Sequence, residues 1–484
     1  MAHPLAERIA RVLALEPDAN AIESEGRWCT WGELATFAGG IGSHATPALN
    51  IGVLLRNRPP HVATLLGLML AGATLVVINP SRGDERTRAD IAALDLPVLI
   101  GTPEDVDTLV TPSPRTTVVT ITELDEPPVV TPALEMRTGT GQPGVAVRML
   151  TSGTTGPPKR IDLTYDMLAK SVLGAEPTEL RGGVAIVNAP LVHIGGVYRV
   201  LQCVAEARSF VLLPRFDLIP WVDAVRRHRP KTVSLVPAAL RMVLHSDLTR
   251  DDLAGIVAVT SGTAPLSADD ADAFTGKFGI PVLTSYAATE FGGGVAGWSL
   301  ADHRAFWTVK RGSVGRATLG AQLRVVDDDG NPLPADQPGL LEVKPGQLGR
   351  DVDWIRTTDL ARLDADGFLW ILGRADQAII RGGFKIMPDD VRAALEQHPA
   401  VLGAAVVGRA DERLGETPVA MVELRPGEAA DAESLTTYLS GRLARYEVPT
   451  VLVVVASIPR TPSGKADLTA VRRHFSERAH ADHA

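Results

Sequence analysis

Between Ile51 and Tyr286 the chain alternates short apolar runs with longer amphipathic stretches. IGVLLRN, HVATLLGLMLA and TLVVIN follow one another, and VAIVN, SFVLL, KTVSLV, GIVAVT and PVLTSY come later. Runs that are continuously apolar and β-branched leave no face for water, so they predict parallel strands covered by helices on both sides. At the N-terminus Leu5, Ile9, Val12 and Leu13 recur at helical spacing among charged residues. That pattern predicts a packed amphipathic helix and not an export signal. The longest uncharged stretch, Val62 to Ile78, is interrupted by Gly67, Gly72 and Thr74 and turns β-branched toward its end. It reads as helix, tight turn and buried strand in place of a membrane span.

Further along, the rhythm changes. Residues 101–144 are rich in Thr, Pro, Asp and Glu and lack clear helical periodicity, so they read as surface turns and short strands between two halves of a large domain. After Ser313, LRVVDDDGNPL and GLLEV predict strand, turn and strand in a small β-rich subdomain covering about 308–375. Beyond Asp376, VRAALEQHP, AVLGAAVVG, PVAMVEL, AESLTTYLSGRLA and VLVVVA mix helical and strand periods over an ordinary domain's length. The closing ERAHADHA predicts a frayed polar tail, in which the metal-like spacing of His474, His480 and His483 is superficial. The predicted architecture is therefore α/β. A large N-terminal domain (1–375) of parallel-rich sheets covered by helices carries the β-rich subdomain, and a small α+β domain (376–484) follows.

With 484 residues, 45% of them hydrophobic, the chain can bury more than one core. A formal net charge of −9, without any run of interleaved basic and aromatic residues, argues against a nucleic-acid partner. The same charge means that ATP would have to be held by a local site. Cys29 and Cys203 lie far apart without CxxC or Cys/His companions. Neither a disulfide framework nor a zinc site is indicated, and both read as buried thiols in a reducing cytoplasm.

The candidate chemistry centres on MLTSGTTGPPKRI, residues 149–161. An apolar strand runs into Thr151, Ser152, Gly153, Thr154, Thr155 and Gly156, then two prolines and Lys159. Glycine lets successive amides face one anion, the hydroxyls add donors, and Lys159 adds positive charge, which together make a polyphosphate cradle. A Walker A loop is disfavoured, because Pro158 precedes the lysine and Arg160 follows it. On composition alone, a ligand-free surface turn stays open as the alternative. Gly139, Gly141 and Gly144 match GxGxxG, but the strand VAVRML follows instead of a helix, so this segment reads as a turn.

The cradle resembles the signature of the superfamily of acyl-CoA synthetases, peptide-synthetase adenylation domains and firefly luciferases. Four further segments resemble that superfamily's in the same order. SGTAPLS (261–267) is similar to its acyl-pocket wall, and SYAATE (285–290) to its Tyr-Gly-x-Thr-Glu segment. RTTDLARLDADGFLWILGRADQAIIRGGFKIMPDDV (356–391) resembles its ribose-binding, hinge and thiol-tunnel segments, and PRTPSGKADL (459–468) its C-terminal lysine loop.

The resemblance implies ATP- and Mg²⁺-dependent conversion of a carboxylic acid to acyl-AMP with release of pyrophosphate, then transfer of the acyl group to coenzyme A. It implies that Lys465 bridges the carboxylate and α-phosphate, that Thr289 bonds the α-phosphate, and that Glu290 holds Mg²⁺ together with phosphate oxygens. Asp359 would accept the ribose hydroxyls and Arg374 would support the ribose or phosphate side. Asp376 would be the hinge of a mobile C-terminal domain, and Gly382 and Gly383 would line the pantetheine tunnel. Tyr286 and Ala287 would adjoin the nucleotide. His193, Gly195, Gly196, Gly262, Thr263, Ala264, Pro265, Ala288 and Gly292 would surround the acyl group, with His193 near its carboxylate. The space beside Gly195, Gly196 and Gly292 to Gly294 fits a bulky or long apolar acid, such as a fatty, aromatic or polycyclic one. Amino acids are not expected, because His193 stands where amino-acid-activating relatives carry a carboxylate.

Three departures stand out: Ala287 replaces a glycine, Thr358 replaces the glycine before the ribose aspartate, and the path from GLLEV to Trp354 is short. They keep a second reading open, an adenylating enzyme that serves a carrier protein or a separate transferase. A third, a nucleotide-binding homologue without catalysis, is disfavoured by the presence of Lys159, Glu290, Asp359 and Lys465. A homodimer is left open.

Overall fold

The computed structural model describes residues 2–135, 141–150, 159–349, 351–381, 384–411, 414–461 and 464–481. The chain packs as two compact units. One comprises Met1–His303, Thr318–Gly320 and Pro345–Val352, and the other Arg304–Ala317, Ala321–Lys344 and Asp353–Ala484.

In the first unit a seven-stranded sheet runs in the order Val129–Thr131, Thr117–Thr120, Val98–Gly101, Asn50–Leu54, Thr74–Ile78, Val145–Leu150, Arg160–Thr164. Its five inner strands are parallel and its two outer ones antiparallel. All five residues of Thr74–Ile78 are buried, as the unbroken apolar run requires. The apolar stretch before it is the helix Pro59–Leu70, ended by Gly72 at φ 71°. Gly67 in that helix is there for packing: a Cβ would stand 2.4 Å from the carbonyl oxygen of Ala38 on the helix Trp31–Gly42. The N-terminal helix Pro4–Leu15 buries Leu5, Ile9, Val12 and Leu13. A second sheet orders Arg181–Val187, Arg208–Leu212, Asn20–Ser24 and Arg27–Thr30. In a third, Thr232–Ser234, Ala258–Ser261 and Val282–Ala288 are parallel, and Gly293–Gly297 lies antiparallel to the last.

Two expectations need correction. Residues 101–144 contain the helix Pro103–Leu109, whose first turn is closed by the Thr102 hydroxyl accepting from the Asp105 amide. Thr117–Thr120 and Val129–Thr131 are short strands as expected there, and they extend the large sheet. Within the segment read as a frayed tail, residues 477–481 continue the helix Leu468–Ala481, which is anchored by buried Val471 and Phe475. Cys203 is buried and Cys29 half-buried, neither is in a disulfide, and burial pushes their thiols up to about 11 and about 12. Among the described residues no helix is long and apolar enough to cross a membrane.

The second unit starts with an antiparallel sheet of Gln322–Val326, Gly339–Lys344, Ile355–Leu363 and Leu369–Arg374. Beyond it Val401–Asp411 and Gly415–Leu424 form a long hairpin that Val451–Val455 joins in parallel. Alternate residues of these strands face two separate cores. Val406, Ala420 and Val422 pack with Val391, Leu395 and Leu435, whereas Val407, Val419 and Met421 pack with Val471 and Phe475. A sheet apolar on both faces needs helices on both, and Pro388–Glu396, Ala432–Ser440 and Leu468–Ala481 supply them.

Candidate active site

In the first unit the strand Val282–Ala288 ends in a single 3₁₀ turn, Thr289–Phe291, and the chain returns as Gly293–Gly297. Buried Phe291 packs on the Tyr286 ring at 5.9 Å and pins the turn. Glu290 and Ala287 are left exposed, while Tyr286, Ala288 and Thr289 are half-buried. The glycines that follow are fixed from outside. Gly292 is left-handed (φ 69°), and a Cβ on it would meet Met167 Cε at 2.5 Å. Its carbonyl accepts from the Tyr198 hydroxyl at 2.5 Å, and the carbonyl of Gly294 accepts from Gln347 Nε2 at 2.6 Å. Burial raises the Tyr198 phenol, which keeps this donor protonated.

His193 ends the turn that leads into the helix Ile194–Ala205. Buried Asn57 holds that turn, donating to the carbonyls of Ala189 and Leu213 (both 3.0 Å) and accepting from the Leu191 amide at 2.7 Å. Gly196 packs so closely that a Cβ would lie 2.2 Å from the carbonyl oxygen of Pro190, whereas Gly195 and Gly294 each face open space. The SGT turn after Ala258–Ser261 is equally tight: a Cβ on Gly262 would stand 2.8 Å from Ser285 Oγ, and Thr263 is held at φ 70°. A β-branched residue there costs about 1–3 kcal/mol of backbone strain. Half-buried Ala264 and exposed Pro265 lead on to the helix Ala268–Phe278, capped by Ser267.

The cradle residues Thr151, Ser152, Gly153, Thr154, Thr155 and Gly156 lie outside the described residues, as do Gly382 and Gly383. Lys159 is exposed just before the strand Arg160–Thr164. Its neighbour Arg160 is committed to structure, donating to the carbonyl of Val77 at 2.8 Å and to Asp90 at 2.6 Å.

In the second unit, strand pairing sets Asp359 directly opposite Arg374. A register shift leaves Leu372 unpaired, and Gly373 at φ 136° absorbs it, a bulge that re-aims the next side chain. The Arg374 guanidinium grips Asp376 through Nε (2.9 Å) and Nη2 (2.6 Å), and Nη2 also donates to Thr358 Oγ1 at 2.8 Å. The Asp359 amide donates to Thr357 Oγ1 at 3.0 Å, and that hydroxyl donates to the carbonyl of Leu341 at 2.9 Å. Lys465 is exposed; its carbonyl accepts from the Thr461 amide at 2.7 Å, and the Gly464 amide donates to the carbonyl of Thr461 at 2.8 Å.

Structure thus brings together Asp359, Arg374 and Asp376 in one unit, and Tyr286 to Gly292 in the other. Sequence reasoning missed Asn57, Tyr198, Gln347 and the pairing of Thr358 with Arg374. Asn57 and Gln347 are both buried, but Asn57 lies between two arginines and Gln347 among Lys, Pro, Gly and Arg, so no sequence signal marks their burial. Among the described residues no group of three or more His, Cys, Asp or Glu side chains is placed to hold a metal.

Residues 9–350 match the family model of AMP-binding enzymes, and residues 390–465 match that of the AMP-binding enzyme C-terminal domain. The chain is 30% identical to an indoleacetate–CoA ligase of Aromatoleum aromaticum, over 97% of this chain and 98% of that one. It is 30% identical to a sulfoacetate–CoA ligase of Cupriavidus necator, over 97% of each. Its fold is similar to that of an ATP-bound RpMatB–BxBclM chimera, with a TM-score of 0.83 at 23% identity over 98% of this chain and 99% of that one.

Proposed function

Since the chain belongs to the AMP-binding enzymes as an adenylate-forming acid–CoA ligase that uses ATP, Mg²⁺ and coenzyme A, we propose that its acid is apolar and not an amino acid, and that the residues located above divide the work as follows. Joining a carboxylate to the α-phosphate of ATP brings two anions together, so positive charge placed at that junction is the main catalytic need. Lys465 supplies it, and Thr289 bonds the α-phosphate. An exposed carboxylate such as Glu290 suits Mg²⁺, which takes few protein carboxylates and completes its shell with phosphate oxygens. When bound, the ion neutralises phosphate charge.

Asp359 accepts the ribose hydroxyls, and Arg374 stands beside it. The direct opposition of these two residues, with Asp376 gripped by the same guanidinium, is the observation that carries this assignment. Asp376 is the hinge between 1–375 and 376–484. Rotation there withdraws Lys465 after adenylation and lets a thiol in along Gly382 and Gly383. Thr151 to Gly156 and Lys159 cradle the pyrophosphate. His193 sits near the acyl carboxylate, and the open space at Gly195 and Gly294 takes the apolar body of the acid. The two relatives' names span an aromatic acid and a small sulfonated one, so the apolar assignment rests on these openings.

A screen of fatty, aromatic, polycyclic and sulfonated acids for acid-dependent pyrophosphate exchange, followed by addition of coenzyme A, tests the proposal. The expected products are AMP and a thioester of an apolar acid. Turnover of sulfonated or amino acids alone would refute the substrate class. Acyl-AMP that persists in the presence of coenzyme A would instead mark an enzyme serving a carrier protein or separate transferase.

A further inference from the structure

A guanidinium has five N–H donors. In Arg374, Nε–H and one Nη2–H are taken by Asp376, and the other Nη2–H by Thr358. The two donors on Nη1 make no hydrogen bond among the described residues. Asp376 lies on the short 3₁₀ turn Ala375–Gln377, whereas Thr358 belongs to the same strand as Asp359. The backbone of Arg374 is paired with that strand, but without the hydroxyl its guanidinium would be tied to the turn alone. With it, the guanidinium is also tied to the strand that carries Asp359, and the neighbouring Thr357 fixes the backbone of Asp359 in the same way.

Resting on the reading of Asp359 as the ribose carboxylate, we propose that Thr358 is a positioning residue for nucleotide binding. Its hydroxyl holds the Arg374 guanidinium against the strand that carries Asp359, leaving the Nη1 end for the nucleotide. The residue that departs from the expected glycine is thereby a third point of attachment for the arginine. Motion of the Asp376 turn then need not carry Arg374 away from the nucleotide.

Thr358→Val keeps the shape and β-branching of the side chain and removes the acceptor, while Thr358→Ser keeps the acceptor. In the full chain, the valine variant should raise the Kd for AMP by calorimetry, and the KM for ATP in pyrophosphate exchange, about fivefold to tenfold, the scale of one net intramolecular hydrogen bond. The KM for the acid should not change, and serine should restore nucleotide affinity to within about twofold. In an Arg374→Ala background the valine change should have no further effect. Unchanged AMP affinity in Thr358→Val, a serine variant as weak as valine, or additive losses in the double variant would overturn the proposal. The double-variant comparison still decides if valine lowers the melting temperature. AMP binding that survives while every acid fails in pyrophosphate exchange would count against the catalytic reading and not against this role.

Discussion

Adjacent glycines in the first turn of one helix make opposite predictions. A Cβ on Gly196 would lie 2.2 Å from the oxygen and 2.5 Å from the carbon of the Pro190 carbonyl, and 2.8 Å from the Leu191 amide nitrogen. All three are backbone atoms, and the turn they belong to is tied down by Asn57. The alanine therefore cannot be admitted by a side-chain rotation, and the turn bearing His193 must shift. Overpacking of this kind costs about 1–3 kcal/mol. Because the clash is with restrained backbone, the upper half of that range applies. Replacing glycine by alanine in a helix returns up to about 1 kcal/mol. The net loss for Gly196→Ala is then roughly 1–2 kcal/mol, a fall of a few degrees in Tm for a protein of this size. Gly195 meets nothing within 4 Å, so Gly195→Ala gains propensity without a clash and its Tm should hold or rise. In activity the order also differs. Gly196→Ala should raise the KM for the acid and lower kcat together, because the turn moves, while Gly195→Ala should raise the KM for bulky acids and spare smaller ones. Thermal melts and acid-dependent pyrophosphate exchange on the two variants measure both. Equal melts, or a Gly195 variant less stable than the Gly196 one, would refute the packing argument.

Lys465→Ala should lower adenylation by at least about 10²-fold, the usual scale for a charge-stabilising group, while thioester formation from supplied acyl-AMP persists; equal loss of both half-reactions in single-turnover assays would contradict the hinge at Asp376. Tyr198→Phe leaves the Gly292 carbonyl without its donor, a cost of about 1–3 kcal/mol, and should raise the KM for the acid with the KM for ATP unchanged. His61 is fully buried, and its burial pushes the imidazole down from 6.5 to about 4. The unfolded chain therefore binds an extra proton between those values, and stability is lost as pH falls through that window, by about 2 kcal/mol at pH 5. Urea titrations at pH 7 and pH 5 should show that drop in the natural chain and not in His61→Gln.

The parallel strands were legible because burial on both faces leaves an unbroken β-branched run, as in Thr74–Ile78. The helix Pro103–Leu109 escaped because it is two turns long and buries little beyond Leu109, so no apolar period develops. Its starting signal was nevertheless present: a Thr cap, then Pro, then two acidic residues. The last helix was missed for a different reason, since its buried Val471 and Phe475 precede the polar segment that they hold helical. Candidate residues such as Asp359 and Glu290 are proposed from contiguous segments. The Thr358–Arg374 bond could not be read that way, because it joins residues sixteen apart through strand pairing with a one-residue bulge. Asn57 is further still from its partners, which lie 132 to 156 residues away along the chain.

The first unit is not a contiguous stretch of sequence, since it takes back Thr318–Gly320 and Pro345–Val352 after the chain has left it. Gln347, which braces the Gly294 carbonyl, belongs to the last of these returns. A shortened version stopping at residue 303 would therefore synthesise Glu290 and its glycines intact yet lack the clamp on the strand behind them. Exchange of parts with other enzymes faces the same constraint: a graft point anywhere from 304 to 352 divides residues that fold together, and only a junction after that interval hands the recipient the strand Gly293–Gly297 with its brace.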